Sequence, residues 1–298
     1  MNKQQENKLY IFCITLVATL GGLLFGYDTA VISGAEKALQ TYFHTSNLIH
    51  GITTSSALIG CIIGGAVSGV FASKLGRKKS LQVASVLFFL SALGSGYPEF
   101  LFFKEGDTSL GVLIAFNIYR IIGGVGVGLA SAISPMYIAE IAPADIRGKL
   151  VSWNQFAIIF GMLVVYFVNY SIAVGQSIEW VNAIGWRRMF ASEAIPAALF
   201  GVLLFFVPET PRYLVLNNKE DKAFSVLKKT MGINEASKIL EDIKLTVHET
   251  TGKVLSYGWK ILIVGILLSV FQQFVGINVV LYYAPRIFRV WELPAMLP

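Results

Sequence analysis

The sequence predicts an all-α membrane protein, and three observations predict it. Apolar residues make up 55% of the chain and charged residues only 14%, where a soluble domain carries about 25% charged residues. The apolar residues come in blocks that approach the ~20 residues needed to cross a bilayer as a helix. The basic residues collect between those blocks, on alternate loops.

The blocks, in order, are Leu9–Ser33, Thr53–Ser73, Leu81–Tyr97, Val112–Ile133, Trp153–Val174, Met189–Val207 and Trp259–Tyr283. The third is the shortest. Lys3 and Lys8 precede the first block, Lys74, Arg77, Lys78 and Lys79 follow the second, and Arg147 and Lys149 follow the fourth. Eight more basic residues, from Arg212 to Lys253, follow the sixth. The intervening loops carry far fewer, Lys37, Lys104 and the Arg187–Arg188 pair. This bias puts the N-terminus and the segment Pro208–Tyr257 on the cytoplasmic side. Residues 2–8 are polar and no cleavage site follows them, so a cleavable signal peptide is not expected.

Three segments result: a six-helix transmembrane bundle over residues 1–207, a cytoplasmic amphipathic helical linker over 208–257, and the seventh helix within 258–298. In the linker, Ala223, Val226, Leu227 and Met231, then Ile239, Ile243 and Val247, repeat at helical spacing, with Gly232 between the runs. Two or three short helices fit this pattern; a disordered linker is the alternative.

The formal net charge of +6 invites nucleic acid as a partner. No nucleic-acid-reading motif accompanies it, so the lipid bilayer is the expected partner and nucleic acid is not. Cys13 and Cys61 lie in apolar blocks and read as small buried hydrophobes, without a disulfide. His44, His50 and His248 are scattered without metal-ligand spacing, and no phosphate-binding glycine loop is present. No enzyme, metal or cofactor is therefore expected. Nothing in the sequence sets an oligomeric state.

The glycines of Gly60-x3-Gly64, Gly65-x3-Gly69 and Gly124-x3-Gly128 put small residues on one helix face, which lets backbones approach closely in lipid. Packing alone explains most of them. Helices that rock against each other would need the same surfaces.

Three ionisable residues sit at membrane depth: Asp28 in Gly21–Gly34, Arg120 in the fourth block and Glu193 in the sixth. Such groups are costly in hydrocarbon and are expected to face a bundle interior, paired. Asp28 with Arg120 is the preferred pair, and Glu193 competes for Arg120. If Asp28 is protonated apart from Arg120 and ionised beside it, one proton is tied to one conformational change. A static buried ion pair is the alternative.

Amides and phenols form a second group. Gln155 and Met162 are seven residues apart, on one face of the fifth block. Gln272, Gln273, Asn278 and Tyr282 concentrate in the seventh, where Gly276 could let the helix unwind and Pro285 limits its continuation. Amides both donate and accept, which suits a neutral polyhydroxylated ligand. Interhelical hydrogen bonding is the alternative for any one of them.

At the cytoplasmic ends, Arg77, Glu140 with Arg147, and Glu209 with Arg212 set acids beside bases. Their repetition suggests ion pairs that hold an inner gate shut in one state. Ordinary solvated charges are the alternative.

Gly21–Gly34, Gly76-Arg77-Lys78, Pro135-Met136-Tyr137-Ile138-Ala139-Glu140 with Arg147-Gly148, Pro208-Glu209-Thr210-Pro211-Arg212 and Gln272–Tyr283 occur in this order and together resemble the sugar porter family of the major facilitator superfamily. That resemblance implies two six-helix halves around a midplane sugar site with alternating access. It implies symport of a monosaccharide, D-xylose or a related pentose or hexose, with a proton as coupling ion, in a bacterial inner membrane. It places Phe25, Gln155, Gln272, Gln273, Asn278 and Tyr282 at sugar-contacting positions, Asp28 at the proton-coupling position and Arg120 as its partner. Passive facilitators of the family typically have Asn where this chain has Asp28, which argues against facilitated diffusion.

Three departures stand out. Met162 stands where the family's xylose symporters have a second Gln, removing one sugar hydrogen bond worth ~1 kcal/mol. Ser73 replaces an Asp or Asn of the motif before Arg77. The chain ends just after the seventh block, and Trp291–Pro298 does not resemble the family's continuation. A fragment or a truncated reading frame is expected, without transport from this piece alone. A sugar receptor would be expected to carry a signalling domain.

Overall fold

In a computed structural model, which describes residues 3–104, 106–247 and 258–290, every regular element is helical. His248, Lys253 and Trp291–Pro298 lie outside the described residues. The helices are α1 (Lys3–Tyr42), α2 (Asn47–Lys74), α3 (Arg77–Gly96), α4 (Leu110–Ile141), α5 (Arg147–Ala173), α6 (Ile178–Trp180), α7 (Trp186–Ser192), α8 (Ala194–Leu203), α9 (Pro211–Leu216), α10 (Glu220–Met231), α11 (Ile233–Val247), α12 (Trp259–Phe274) and α13 (Ile277–Val290). A π-helical turn, Val181–Gly185, joins α6 to α7. Among the described residues, five helical stretches are long and apolar enough to cross a membrane: Lys8–Tyr42, α2, α4, α5 and Trp259–Tyr283.

The first helix runs well past the predicted end at Ser33, because the apolar repeat continues. Ala35, Ala38 and Leu39 are buried, and beyond the helix Phe43 packs edge-on against Tyr42 and near Trp186. The helix stops where His44 takes a positive φ of 50°.

The sixth block is not one continuous helix. Pro196 has no N–H to give the carbonyl of Ser192, and its ring crowds that turn. The chain breaks there, with Glu193 between α7 and α8.

The seventh block breaks where its glycine predicts, with Gly276 at φ +79° between α12 and α13. Pro285, however, lies within α13 and does not end it. One missing N–H inside a helix is tolerated at membrane depth when the rest of the segment is held. None of α12 is buried, whereas Tyr282 of α13 is 7% exposed and sits in the main core.

Helix pairs in lipid gain no hydrophobic energy from each other, so close backbone contact holds them. The two most extensive pairings are α2 on α4 and α1 on α5. A Cβ on Gly60 would overlap the Ile121 carbonyl, and one on Gly124 the Ala57 carbonyl. On the other pair, Gly26 meets Ile158 and Gly161 meets Leu23 in the same way. The bundle's outward faces keep large apolar side chains exposed, among them Ile59 and Ile62 on α2 and Phe156 and Ile159 on α5. Such surface is what a lipid-facing bundle presents. Cys13 also faces outward, contrary to its reading as a buried residue, because it lies off the buried stripe of Ile11 and Ile14.

At the end of α1 far from the N-terminus, Arg187 is not a loop charge. It is 7% exposed and donates to Glu99 (2.8 Å), Tyr42 Oη (2.8 Å) and the Gly96 carbonyl (3.3 Å), with its guanidinium 4.6 Å from the Trp186 ring. Arg187 is thereby removed from the loop charge on that side, which sharpens the alternation of basic loops.

Behind the bundle's N-terminal end, α9, α10 and α11 pack on one another through Leu214, Val215, Ala223 and Val226, with Leu240 and Ile243 against them. An ion pair of Lys244 with Glu220 ties α11 to α10. Lys229 of α10 lies over the Tyr10 ring, which attaches this layer to the start of α1.

Candidate functional site

Asp28 lies on α1 and Arg120 on α4, and the bundle brings them together across 92 residues of sequence. Arg120 Nη1 donates to Asp28 Oδ1 at 2.5 Å, and its Nη2 donates to the Asp28 carbonyl at 3.2 Å and Oδ2 at 3.5 Å. The two side chains are 3% and 2% exposed. The guanidinium also lies 5.2 Å from the Phe190 ring. Such a pair is costly to bury and costlier to break, because removing one partner strands the other charge.

Glu193 stands beside the pair and interacts electrostatically with both members. It is fully buried; among the described residues no N–H or hydroxyl donor reaches its carboxyl oxygens, and its side-chain neighbour is the Asp28 carboxyl. Arg120 is therefore committed to Asp28 in this conformation, with Glu193 as an idle second acceptor. The break before Pro196 positions Glu193 here, at the α7–α8 junction.

Of the residues that the resemblance places at sugar-contacting positions, Phe25 is half-buried against the core, one turn from Asp28. Met162 and Tyr282 join one apolar cluster that includes Tyr27. Gln155, Gln272 and Gln273 are exposed, and no hydrogen bond links Gln155 to the amides of the seventh helix. Asn278 donates to Gln273 Oε1 at 2.9 Å across the Gly276 break. The α13 phenol is thus gathered to the bundle, and the α12 amides are not.

The acids and bases expected at the cytoplasmic ends divide in two. Arg77 Nη2 and Nε donate to Glu140 Oε1 at 2.7 and 3.2 Å, and Nη1 donates to the Ala72 carbonyl. Glu209 accepts the backbone N–H groups of Arg77 (3.1 Å), Lys78 (3.1 Å) and Thr210 (2.9 Å). It thereby caps the start of α3, where aligned amides favour an anion. Gly76 precedes that start at φ +89°, and a Cβ there would strike the Glu209 carboxylate. Arg147 and Arg212 stay outside this cluster. Both are exposed, and Arg147 makes only a 3.4 Å bond to the Ala142 carbonyl.

Burial raises the Glu209 carboxyl above its usual range, against the pull of the Thr210, Lys78 and Arg77 amides. A carboxyl raised on folding holds its proton more tightly in the folded state, so it loses stability as pH climbs through the raised value. The parent should therefore lose melting temperature relative to Glu209→Gln as pH rises from about 4 to 7. Parallel thermal unfolding in detergent reads the difference; a constant gap across that range would contradict it.

Sequence reasoning missed several buried polar groups. Asn154 is 6% exposed with its Oδ1 unpaired, and Tyr27 shares a 2.8 Å hydrogen bond with Ser192. Glu36 and His50 form a buried pair at 3.1 Å. Glu36 was legible in principle, because it lies eight residues after Asp28 on the same helix face, flanked by the buried Ala35 and Leu39.

Three comparisons bear on this arrangement. A profile of the family described as "Sugar (and other) transporter" matches residues 14–294. The D-xylose-proton symporter of Escherichia coli (strain K12) is 54% identical over 302 residues, which cover 96% of this chain and 62% of that protein. The glucose transport protein of Synechocystis is 41% identical, covering 97% of this chain and 61% of that protein. Among solved structures, the major facilitator proton:xylose symporter XylE bound to 6-bromo-6-deoxy-D-glucose superimposes with a TM-score of 0.88 at 53% identity, covering 96% of this chain and 64% of that one. The chain thus spans under two thirds of the length of these relatives.

Proposed function

The chain belongs to the sugar (and other) transporter family of the major facilitator superfamily, and from that premise we propose that it forms the N-terminal bundle and seventh helix of a monosaccharide–proton symporter. The membrane is a bacterial inner membrane with the N-terminus cytoplasmic, in keeping with the loop charges. The coupling ion is a proton. The substrate is D-xylose or a related pentose or hexose, with Met162 offering a thioether where a sugar-binding amide would otherwise stand.

The observation that carries this reading is the fully buried Asp28–Arg120 pair with Glu193 unpaired beside it. One guanidinium balances one carboxylate, so the second carboxyl is best accommodated with a proton. When a proton reaches Asp28, its bond to Arg120 weakens, and Arg120 turns to Glu193 as Glu193 gives up its own proton, so one carboxylate faces the guanidinium before and after the step. Breaking a buried pair costs about 3–5 kcal/mol. Moving a two-state equilibrium from 1:99 to 99:1 takes about 5.5 kcal/mol. Neutralising Asp28 therefore destabilises the paired arrangement by an amount comparable to that needed to switch the bundle, with sugar binding adding the rest. Phe25, one turn from Asp28, sets the sugar beside the proton site.

The test is sugar-induced alkalinisation of the medium by de-energised cells making the full-length transporter. A transient alkaline shift on adding D-xylose or D-glucose is the expected result. Sugar uptake with no proton movement would overturn the symport reading, and no binding of either sugar to the purified protein would overturn the substrate class.

A further inference from the structure

Glu36 is used by nothing described so far. It lies near the far end of α1 at 5% exposure, and its Oε1 is shared by an imidazole and a guanidinium from two other helices. His50, near the start of α2 and 3% exposed, meets it at 3.1 Å. Arg286 of α13 meets the same oxygen at 3.2 Å. The two partners differ in one respect. His50 is buried inside the bundle, whereas the Arg286 side chain is 57% exposed. The first contact is fixed by packing; the second is weakened by solvent and can be released.

Gly276, at φ +79°, separates α13 from α12, so the two parts of the seventh helix can turn independently. Among the described residues, the side chains that hold α13 on the bundle lie close together, Leu281 packing on the same core as Tyr282. Tyr282 is buried in the core, Tyr283 Oη meets Thr54 Oγ1 at 3.1 Å, and Arg286, four residues after Tyr282, reaches Glu36. A buried carboxylate held from behind by His50 and met in front by an exposed Arg is a socket with a removable plug.

We propose that Glu36 is the socket of a releasable latch for the seventh helix at the outer end of the bundle, with Arg286 as the plug and His50 as the fixed anchor. The latch rests on the alternating-access reading above, and closing it shuts the outer side of the sugar path over Thr54. His50 orients the carboxylate and does not move with α13. Arg286 leaves when α13 swings about Gly276.

The test uses the full-length transporter in liposomes, cysteine-free apart from Thr54→Cys, which also removes the Tyr283 contact and so serves as the parent for every variant, with labelling by a membrane-impermeant maleimide. In the latched state Thr54→Cys is shielded. Adding Arg286→Gln is expected to raise its labelling rate about 2- to 5-fold, the range for a solvent-exposed ion pair. Glu36→Gln should do the same, and the double variant should exceed neither, because both remove one contact. Raising ionic strength should speed labelling with Arg286 present and have little effect without it. Arg286→Lys, which keeps the cation, should stay within about twofold of the parent. Ser55→Cys, at an exposed neighbour, controls for reagent access. Rates unchanged by Arg286→Gln, or effects of the two single variants that multiply in the double, would overturn the latch. Sugar uptake is measured in the same liposomes, so loss of the latch with transport intact is distinguishable from failure of the transport reading.

Discussion

Asp28→Asn is expected to reduce sugar-driven proton uptake to background while sugar exchange persists. Asn keeps an amide oxygen near the position of Oδ1, which Arg120 bonds at 2.5 Å, but it cannot take up or release a proton. Proton exchange at the site then stops, and the surfaces on α1, α5 and α13 proposed to meet the sugar are untouched. Asp28→Ala is expected to behave differently. It strands Arg120 in a site where its side chain is 3% exposed, at a cost of about 3–5 kcal/mol. Part of that cost is recoverable if Arg120 turns to Glu193, whose oxygens are free. The measurements are the alkalinisation of unbuffered medium and the counterflow of labelled sugar, with thermal unfolding in detergent as the stability readout. Full proton movement in Asp28→Asn would remove Asp28 from the coupling scheme.

The second large effect concerns two adjacent glycines with opposite outcomes. Gly64→Val is expected to destroy the folded protein, and Gly65→Val to be nearly silent. A Cβ on Gly64 would overlap the Val125 carbonyl, whereas one on Gly65 meets nothing within 4 Å. Overpacking a tight contact typically costs about 1–3 kcal/mol. Here the obstacle is the backbone of α4, which has no rotamer to yield, so the upper end of that range is the minimum to expect. Separating α2 from α4 also loosens the α4 face that carries Arg120. Substitutions in open space usually stay within about ±0.5 kcal/mol. Yield of monodisperse protein and its melting temperature in detergent check both variants; equal behaviour of the pair would refute the α2–α4 geometry.

The glycines show where sequence reading stops. Gly60-x3-Gly64 and Gly65-x3-Gly69 are equivalent as patterns, and both predict a close helix contact. Only the first is used within this bundle, against Gly124 and Gly128 of α4. The two motifs differ by about 140° of helix rotation, and hydropathy carries no information on which face turns inward when both faces are small and apolar. The prolines show the same limit. Pro196 breaks its block, while Pro135 and Pro285 lie inside continuous helices. Each removes one hydrogen bond, and the packing of the flanking turns decides whether the helix can absorb the loss.

The charges divide along similar lines. A carboxylate and a guanidinium inside apolar blocks announce themselves, because hydrocarbon makes any ionisable group conspicuous. The pairing of Asp28 with Arg120 followed from that cost. At the helix ends expected to be cytoplasmic the sequence put five acids and bases side by side, and the fold joined Arg77 to Glu140, turned Glu209 onto backbone amides and left Arg147 and Arg212 to solvent. Water pays much of the cost of an unpaired surface charge, so nothing in the sequence forces one pairing over another. Glu36, His50 and Arg286 were legible only as isolated residues on three different segments.

By itself the sequence determined the class of the protein, its all-α construction, the depth of Asp28, Arg120 and Glu193, and the hinge at Gly276. These follow from composition, period and the permissive backbone of glycine, which are local quantities. The tertiary structure alone decided which glycine face binds α4, which charges meet, that Glu193 stands beside the Asp28 carboxyl, and that one oxygen of Glu36 meets both α2 and α13. Those outcomes depend on the relative rotation and depth of helices far apart in sequence. That is set by the sum of many close contacts and not by any one segment.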